Sequence, residues 1–118
     1  MSSRPELMTG VTAKIKAVIA DGVEVKIYCT VNYHEGKPYE VFANTNNAKL
    51  WEHLAVVTLM ISRLLQAGVS PEQIAHDLNQ IHSPVTGHMA PGGYAPSIYA
   101  RLGSVLLHET AKAPEVAA

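Results

Sequence analysis

The chain has 118 residues, of which 47% are hydrophobic and 16% are charged, and its formal net charge is -1 at pH 7. This length fits one domain, and the apolar content supports a buried core and excludes a disordered chain. The balanced charge argues against a protein that binds duplex nucleic acid or a membrane surface, because both need a basic field.

The termini and the single cysteine indicate the compartment. Cys29 is the only cysteine, so we expect a small core residue in a reducing cytoplasm. Residues 1–9 lack the pattern of a signal peptide, and no apolar run reaches the roughly 20 residues that span a bilayer. The expected organisation is a flexible N-terminus over 1–11, a single domain over 12–110 and a flexible tail over 111–118.

The first part of the domain has the two-residue period of β-strands. A strand is predicted over Thr12–Ala20, followed by Asp21-Gly22 as a two-residue hairpin turn. Clean alternation predicts a second strand over Val23–Asn32. After a turn at His34–Gly36, a third strand is predicted over Lys37–Asn44. Three consecutive strands make an antiparallel meander.

The second part has the period of helices. A polar cluster at Asn44–Asn47 caps a first helix that ends near Gly68. Its apolar residues occupy more than one side, so we expect it to pack on the sheet and on another helix or subunit. A capping box at Ser70–Gln73 begins a helix that ends near Asn79, and a last helix is predicted over Ser97–Thr110. The predicted fold is α+β, with a sheet of three or more strands and three helices on one side.

A segment rich in Gly, Pro and His precedes the last helix. Its prolines and glycines predict no regular structure, and it is too long for a routine connector. Glycine N–H groups, hydroxyls and imidazoles can bind a phosphate, and the helix N-terminus adds N–H donors and a guanidinium. The alternative is a structural crossing loop. The candidate ligand-binding residues are His82, Ser83, Pro84, Thr86, Gly87, His88, Met89, Gly92, Gly93, Tyr94, Ser97 and Arg101.

No pattern of residues indicates catalysis or a metal. The glycines match neither a Walker A loop nor a Rossmann fingerprint, and no serine lies in a G-x-S-x-G elbow. His82 and His88 lack the spacing of a zinc protease helix, and no nearby Cys or Asp completes a tetrahedral set. We therefore expect a binding protein with no catalytic residue, metal or cofactor.

An ordered series of motifs spans about residues 14–109. It consists of Tyr28-Cys29-Thr30-Val31-Asn32, then Gly36-Lys37-Pro38-Tyr39-Glu40-Val41-Phe42 with Asn44, Val57-Thr58-Leu59-Met60-Ile61-Ser62, Gly92-Gly93-Tyr94 and Pro96-Ser97. The series resembles the TSCPD-type domain at the C-terminal side of cobalamin-dependent class II ribonucleotide reductases. The Thr-Ser-Cys-Pro-Asp signature and the reductase barrel are missing, so the resemblance implies binding or regulation and not reductase activity.

The chain is also similar, in size, strand-helix order and loop composition, to phage Thoeris anti-defence and anti-CBASS sponge proteins. Those proteins sequester cyclic ADP-ribose-like or cyclic oligonucleotide signals within oligomers. This resemblance implies a non-catalytic nucleotide-binding homo-oligomer, in the host cytoplasm if a phage encodes it, with the first helix as an interface. The alternative is a reductase-related accessory module that acts by protein contact. A third reading, a small hydrolase with His82 or His88 as base, would convert its ligand.

Overall fold

A computed structural model describes residues 4–111 of the chain and the side chains of residues 4–108. The chain forms a three-stranded antiparallel sheet in the order β1 (Thr9–Val18), β2 (Glu24–His34) and β3 (Lys37–Thr45). It then forms α1 (Ala48–Gln66), α2 (Pro71–Leu78), a hairpin of β4 (His88–Ala90) and β5 (Gly93–Ala95), and α3 (Ile98–Ala111). The predicted α+β fold, a meander followed by three helices, is confirmed.

The core lies between one face of the sheet and the helices. Val31 pairs with Val11 on β1 and with Val41 on β3, so these three side chains form one row on the helical side. Helices α1 and α3 contact the sheet, and α2 packs on α3. The helical residues of this hydrophobic core are Leu50, Leu54, Ile61, Leu65, Ile74, Ile98, Leu102, Val105 and Leu106. Cys29 is buried in the same core, as predicted.

The connection between β1 and β2 is longer than the predicted two-residue turn. Val18 pairs with Glu24, and a 3₁₀ turn over Ala20–Gly22 lies between them. Val23, which was predicted to begin the second strand and face the core, is 43% exposed. The prediction of a two-residue turn was wrong, because the Ile19 N–H bonds to the Val23 carbonyl and so closes a loop of three residues, Ala20–Gly22.

The other predicted boundaries follow from local chemistry. Glu35 and Gly36 both have positive φ, which gives the tight turn between β2 and β3. Asn47 caps α1, since its Oδ1 accepts from two backbone N–H groups of the first turn. Ser70 caps α2 in the same way, with Pro71 at the first helical position.

The Gly/Pro/His segment contains regular structure, so the prediction of none was wrong. His88 pairs with Ala95 and Met89 pairs with Tyr94 in the β4–β5 hairpin. Pro91 and Gly92 form the turn, where Gly92 has a φ of 91°. The residues that break regular structure therefore lie at the reversal of the hairpin, where a sheet needs them.

Candidate functional site

A small polar pocket lies between the β4–β5 hairpin and α3. It has a volume of about 210 Å³, and its lining includes Gly92, Gly93, Tyr94, Arg101 and Ser104. A space of this size holds a phosphate group but not a whole nucleotide, since pockets for small organic ligands span about 300–1,000 Å³. The four candidates Gly92, Gly93, Tyr94 and Arg101 are thus brought together, although eight residues of chain separate the ends of this set.

Arg101 is held at the pocket by His88. The buried His88 ring places Nδ1 at 3.0 Å from the Thr86 carbonyl and Nε2 at 3.2 Å from Arg101 Nη1. Because a carbonyl can only accept, Nδ1 carries the ring hydrogen, and the Nε2 lone pair accepts from the guanidinium. His88 is therefore a neutral partner that orients Arg101 without cancelling its charge.

The charge of Arg101 lacks a described counterion. Partial burial lowers the pKa of Arg101 from its ordinary value, yet a guanidinium stays protonated at physiological pH. Among the side chains of residues 4–108, no carboxylate forms an ion pair with Arg101. A partly desolvated cation beside a neutral histidine favours an anion in the adjoining space.

The hydroxyl groups of three candidates accept hydrogen bonds from the backbone and do not line the pocket. Ser83 Oγ accepts from the Thr86 N–H, and the buried Thr86 Oγ1 accepts from the Ile98 N–H at 3.4 Å. The fully buried Ser97 caps α3 by accepting from the Ala100 N–H. These bonds fix the segment against the start of α3. The structure does not bring the three hydroxyls to the pocket.

The remaining candidates do not line the pocket. His82, Pro84 and Met89 are exposed and outside the pocket lining, and Met89 is 72% exposed. Gly87 lies under the Tyr94 ring, where a Cβ atom would contact Tyr94 Oη and lie 3.1 Å from the Ser83 carbonyl. Gly87 thus allows the ring to lie against the loop.

Two polar residues of the pocket lining, Asn79 and Ser104, were not predicted from the sequence. Ser104 follows Arg101 by three residues on α3, so helical spacing places both on one face. That spacing was a usable signal. Asn79 ends α2, and its place at the pocket depends on how α2 packs on α3.

A larger groove, of about 660 Å³, runs between the edge strand β3 and α1 and was not predicted. At one end of it, Arg4 Nη2 lies 2.7 Å and Asn32 Nδ2 lies 2.8 Å from Glu40 Oε1. The hydrogen bonds from Arg4, and then those from Asn32, lower the pKa of the buried Glu40 below its ordinary value, against the opposite effect of burial. This carboxylate is fully engaged in structural bonds.

The described part of the chain has neither a membrane-spanning helix nor a cluster of metal-binding side chains. Over residues 4–111, no helix is long and apolar enough to cross a membrane. Within the same residues, no three His, Cys, Asp or Glu side chains are grouped so that they could hold a metal ion.

Comparison with known proteins gives one match. The family model described as TSCPD domain matches residues 3–117, which is nearly the whole chain and includes all the strands and helices above. A search of curated proteins and a search of solved structures returned no match. The family match covers the motif series that suggested the resemblance and the pocket around Arg101. The chain belongs to the TSCPD domain family.

Proposed function

We propose that this protein binds a phosphate-bearing nucleotide without converting it and acts as a cytoplasmic sponge for cyclic ADP-ribose-like or cyclic oligonucleotide signals. The observation that carries the proposal is the guanidinium of Arg101, which lies at a phosphate-sized pocket with no described counterion. Planar bidentate donors of this kind suit phosphate oxygens. Self-association with further copies is part of the proposal.

The rest of a nucleotide would lie outside the small pocket, on the hairpin. Tyr94 is 63% exposed at the pocket edge, and an exposed aromatic ring can stack on a base. Gly92 and Gly93 carry no side chain, so the ligand can approach the backbone of the turn closely. In this arrangement the Arg101 guanidinium binds the phosphate, and the Tyr94 ring stacks on the base.

The absence of turnover is supported by the bonding of His88. Both ring nitrogens of this residue are already hydrogen-bonded, to the Thr86 carbonyl and to Arg101. No lone pair remains to take a proton from a water molecule, which a general base must do. The site therefore favours holding a ligand over hydrolysing it.

The test is calorimetric titration of the protein with cyclic ADP-ribose isomers and cyclic di- and trinucleotides, followed by chromatography of the released ligand. We expect binding with the ligand recovered intact. Arg101→Ala should lose a charge-assisted hydrogen bond, about 1.5–3 kcal/mol or roughly 10- to 150-fold in Kd. The control is Lys16→Ala, an exposed cation on the sheet, which should bind like the wild type. A converted ligand would show an enzyme, and equal binding by Arg101→Ala would contradict the assigned site.

A second function is favoured by a different observation. Val56, Leu59 and Met60 on α1 are 61%, 49% and 50% exposed, a large apolar surface for so small a domain. This surface supports the alternative of an accessory module that contacts a ribonucleotide reductase. Binding to a purified class II reductase, together with indifference to every cyclic nucleotide, would favour this alternative over the sponge.

A further inference from the structure

The outward face of α1 carries an ordered stripe of four residues: Glu52, Val56, Leu59 and Arg63. Their spacing of four, three and four residues places them on one side of the helix. All four are exposed, and Leu59 and Arg63 also lie at the rim of the groove between β3 and α1. We call these four residues the outer stripe; Met60 extends its apolar middle.

The charges at the two ends of the outer stripe have no ion-pair partner among the described side chains. Glu52 and Arg63 are eleven positions apart, which is about 16 Å along a helix, so they cannot pair with each other. Arg63 Nη1 donates to Gln66 Oε1 at 3.2 Å, a neutral partner. Glu52 at one end of the outer stripe and Arg63 at the other can therefore each form an ion pair with a partner, and the residues between them are apolar.

The outer stripe is complementary to the outer stripe of a second copy that runs in the opposite direction. If two copies of α1 lie antiparallel, with the midpoint between Val56 and Leu59 on a two-fold axis, each Val56 faces Leu59 of the partner subunit. The same operation places each Glu52 opposite Arg63 of the partner subunit. α1 has 19 residues, about 28 Å, so one pair of helices accommodates both ion pairs and the apolar centre.

The β3 edge of the sheet, which lies beside α1, offers a poorer route to a dimer. The outward N–H and C=O of Val41 on β3 are bonded to Ser62 Oγ, and the Tyr39 carbonyl accepts from Gln66 Nε2. A second β3 strand would have to displace these side chains before it could pair. The helix face needs no such rearrangement.

We propose that two copies of this chain form an isologous dimer through α1, antiparallel about an axis between Val56 and Leu59, with two Glu52–Arg63 ion pairs across the interface. This dimer rests on the proposed function, which includes self-association, and it specifies the surface through which the copies associate. Its surface is separate from the Arg101 pocket, and it requires no ligand.

The experiment is sedimentation velocity over a concentration series without nucleotide. We expect the wild-type chain to dimerise, and Glu52→Arg and Arg63→Glu each to raise the dimer Kd by at least about tenfold, because each replaces two attractions by two repulsions. An equimolar mixture of the two variants should regain wild-type affinity as a heterodimer, since every position 52 then faces an opposite charge at position 63. The control is Glu72→Arg on the exposed face of α2, which should dimerise like the wild type.

Circular dichroism of each variant establishes that the fold is retained, as expected for exposed positions. A wild-type chain that stays monomeric throughout the series would overturn the dimer. A dimer that survives both single reversals, or a mixture no tighter than its components, would overturn the α1 geometry and indicate another surface. Calorimetry with nucleotides is independent of these results, so a failed dimer and a failed ligand proposal are told apart.

Discussion

Ser62 on α1 closes the edge of the sheet through Val41 on β3. The Val41 N–H donates to Ser62 Oγ at 2.9 Å, and the single hydroxyl hydrogen is shared between the carbonyls of Val41 and Thr58, at 3.1 and 2.8 Å. Ser62 is 7% exposed. One small side chain thus satisfies main-chain groups that an edge strand would otherwise leave unpaired inside the protein.

Replacing Ser62 with Ala should destabilise the fold. The change leaves the Val41 N–H and C=O without this partner in a buried position, which costs about 1–3 kcal/mol in the free energy of unfolding. Urea denaturation measures the difference. The matched control is Ser104→Ala, because Ser104 is exposed and its Oγ bonds back to its own helix. If the two variants are equally stable, the Ser62 bonds do not stabilise the edge.

Glu40 should make the stability of the protein depend on pH. Its folded-state pKa is below the ordinary value of 4.5, so its stabilising effect is present above that value and is lost as the pH falls through the folded pKa. Glu40→Gln should therefore lower the free energy of unfolding by roughly 1–2 kcal/mol at neutral pH, a value kept small because Arg4 is half exposed. Below the folded pKa of Glu40, the variant and the wild type should converge.

Urea denaturation from neutral to acidic pH checks this behaviour of Glu40. Glu24→Gln is the control, since Glu24 is exposed on β2 and makes no described ion pair. The control should follow the wild type at every pH. A constant difference between Glu40→Gln and the wild type down to the most acidic pH would contradict a titrating contribution.

Tyr94 should contribute to nucleotide binding through its ring. Tyr94→Ala removes the exposed aromatic surface at the pocket edge and should weaken binding by about 1–3 kcal/mol, the value of one stacked base. Tyr94→Phe retains the ring and should bind like the wild type. Calorimetric titration with the ligand that the wild type binds gives both values. If Tyr94→Ala binds unchanged, the base does not lie on the hairpin.

Much of the fold could be predicted because it depends on neighbouring residues. The alternation of Val25, Ile27 and Cys29 determines which face of β2 is buried, and Asn47 and Ser70 cap helices with groups two or three residues away. These signals are local, and local patterns are visible in a sequence.

The remaining features depend on contacts between distant segments. The Ala20 N–H bonds to the carbonyl of the distant Val85, and nothing near Asp21-Gly22 reveals this contact. At the pocket, the proximity of Gly93 and Arg101 was predicted, but the role of His88 was not. Its ring reaches Arg101 because β4 pairs with β5, and β5 contacts α3. Side-chain partners of this kind follow from tertiary packing.

The order of packing in this fold has a kinetic consequence. β1 pairs with β2, β2 pairs with β3, and β3 contacts α1, so these four elements meet as neighbours along the chain. Neighbouring elements meet by closing short loops, which costs little chain entropy. This first part of the fold is therefore expected to form rapidly. The slowest step of refolding should be the docking of β4 on β1 and of α3 on β2, because each closes a long stretch of chain.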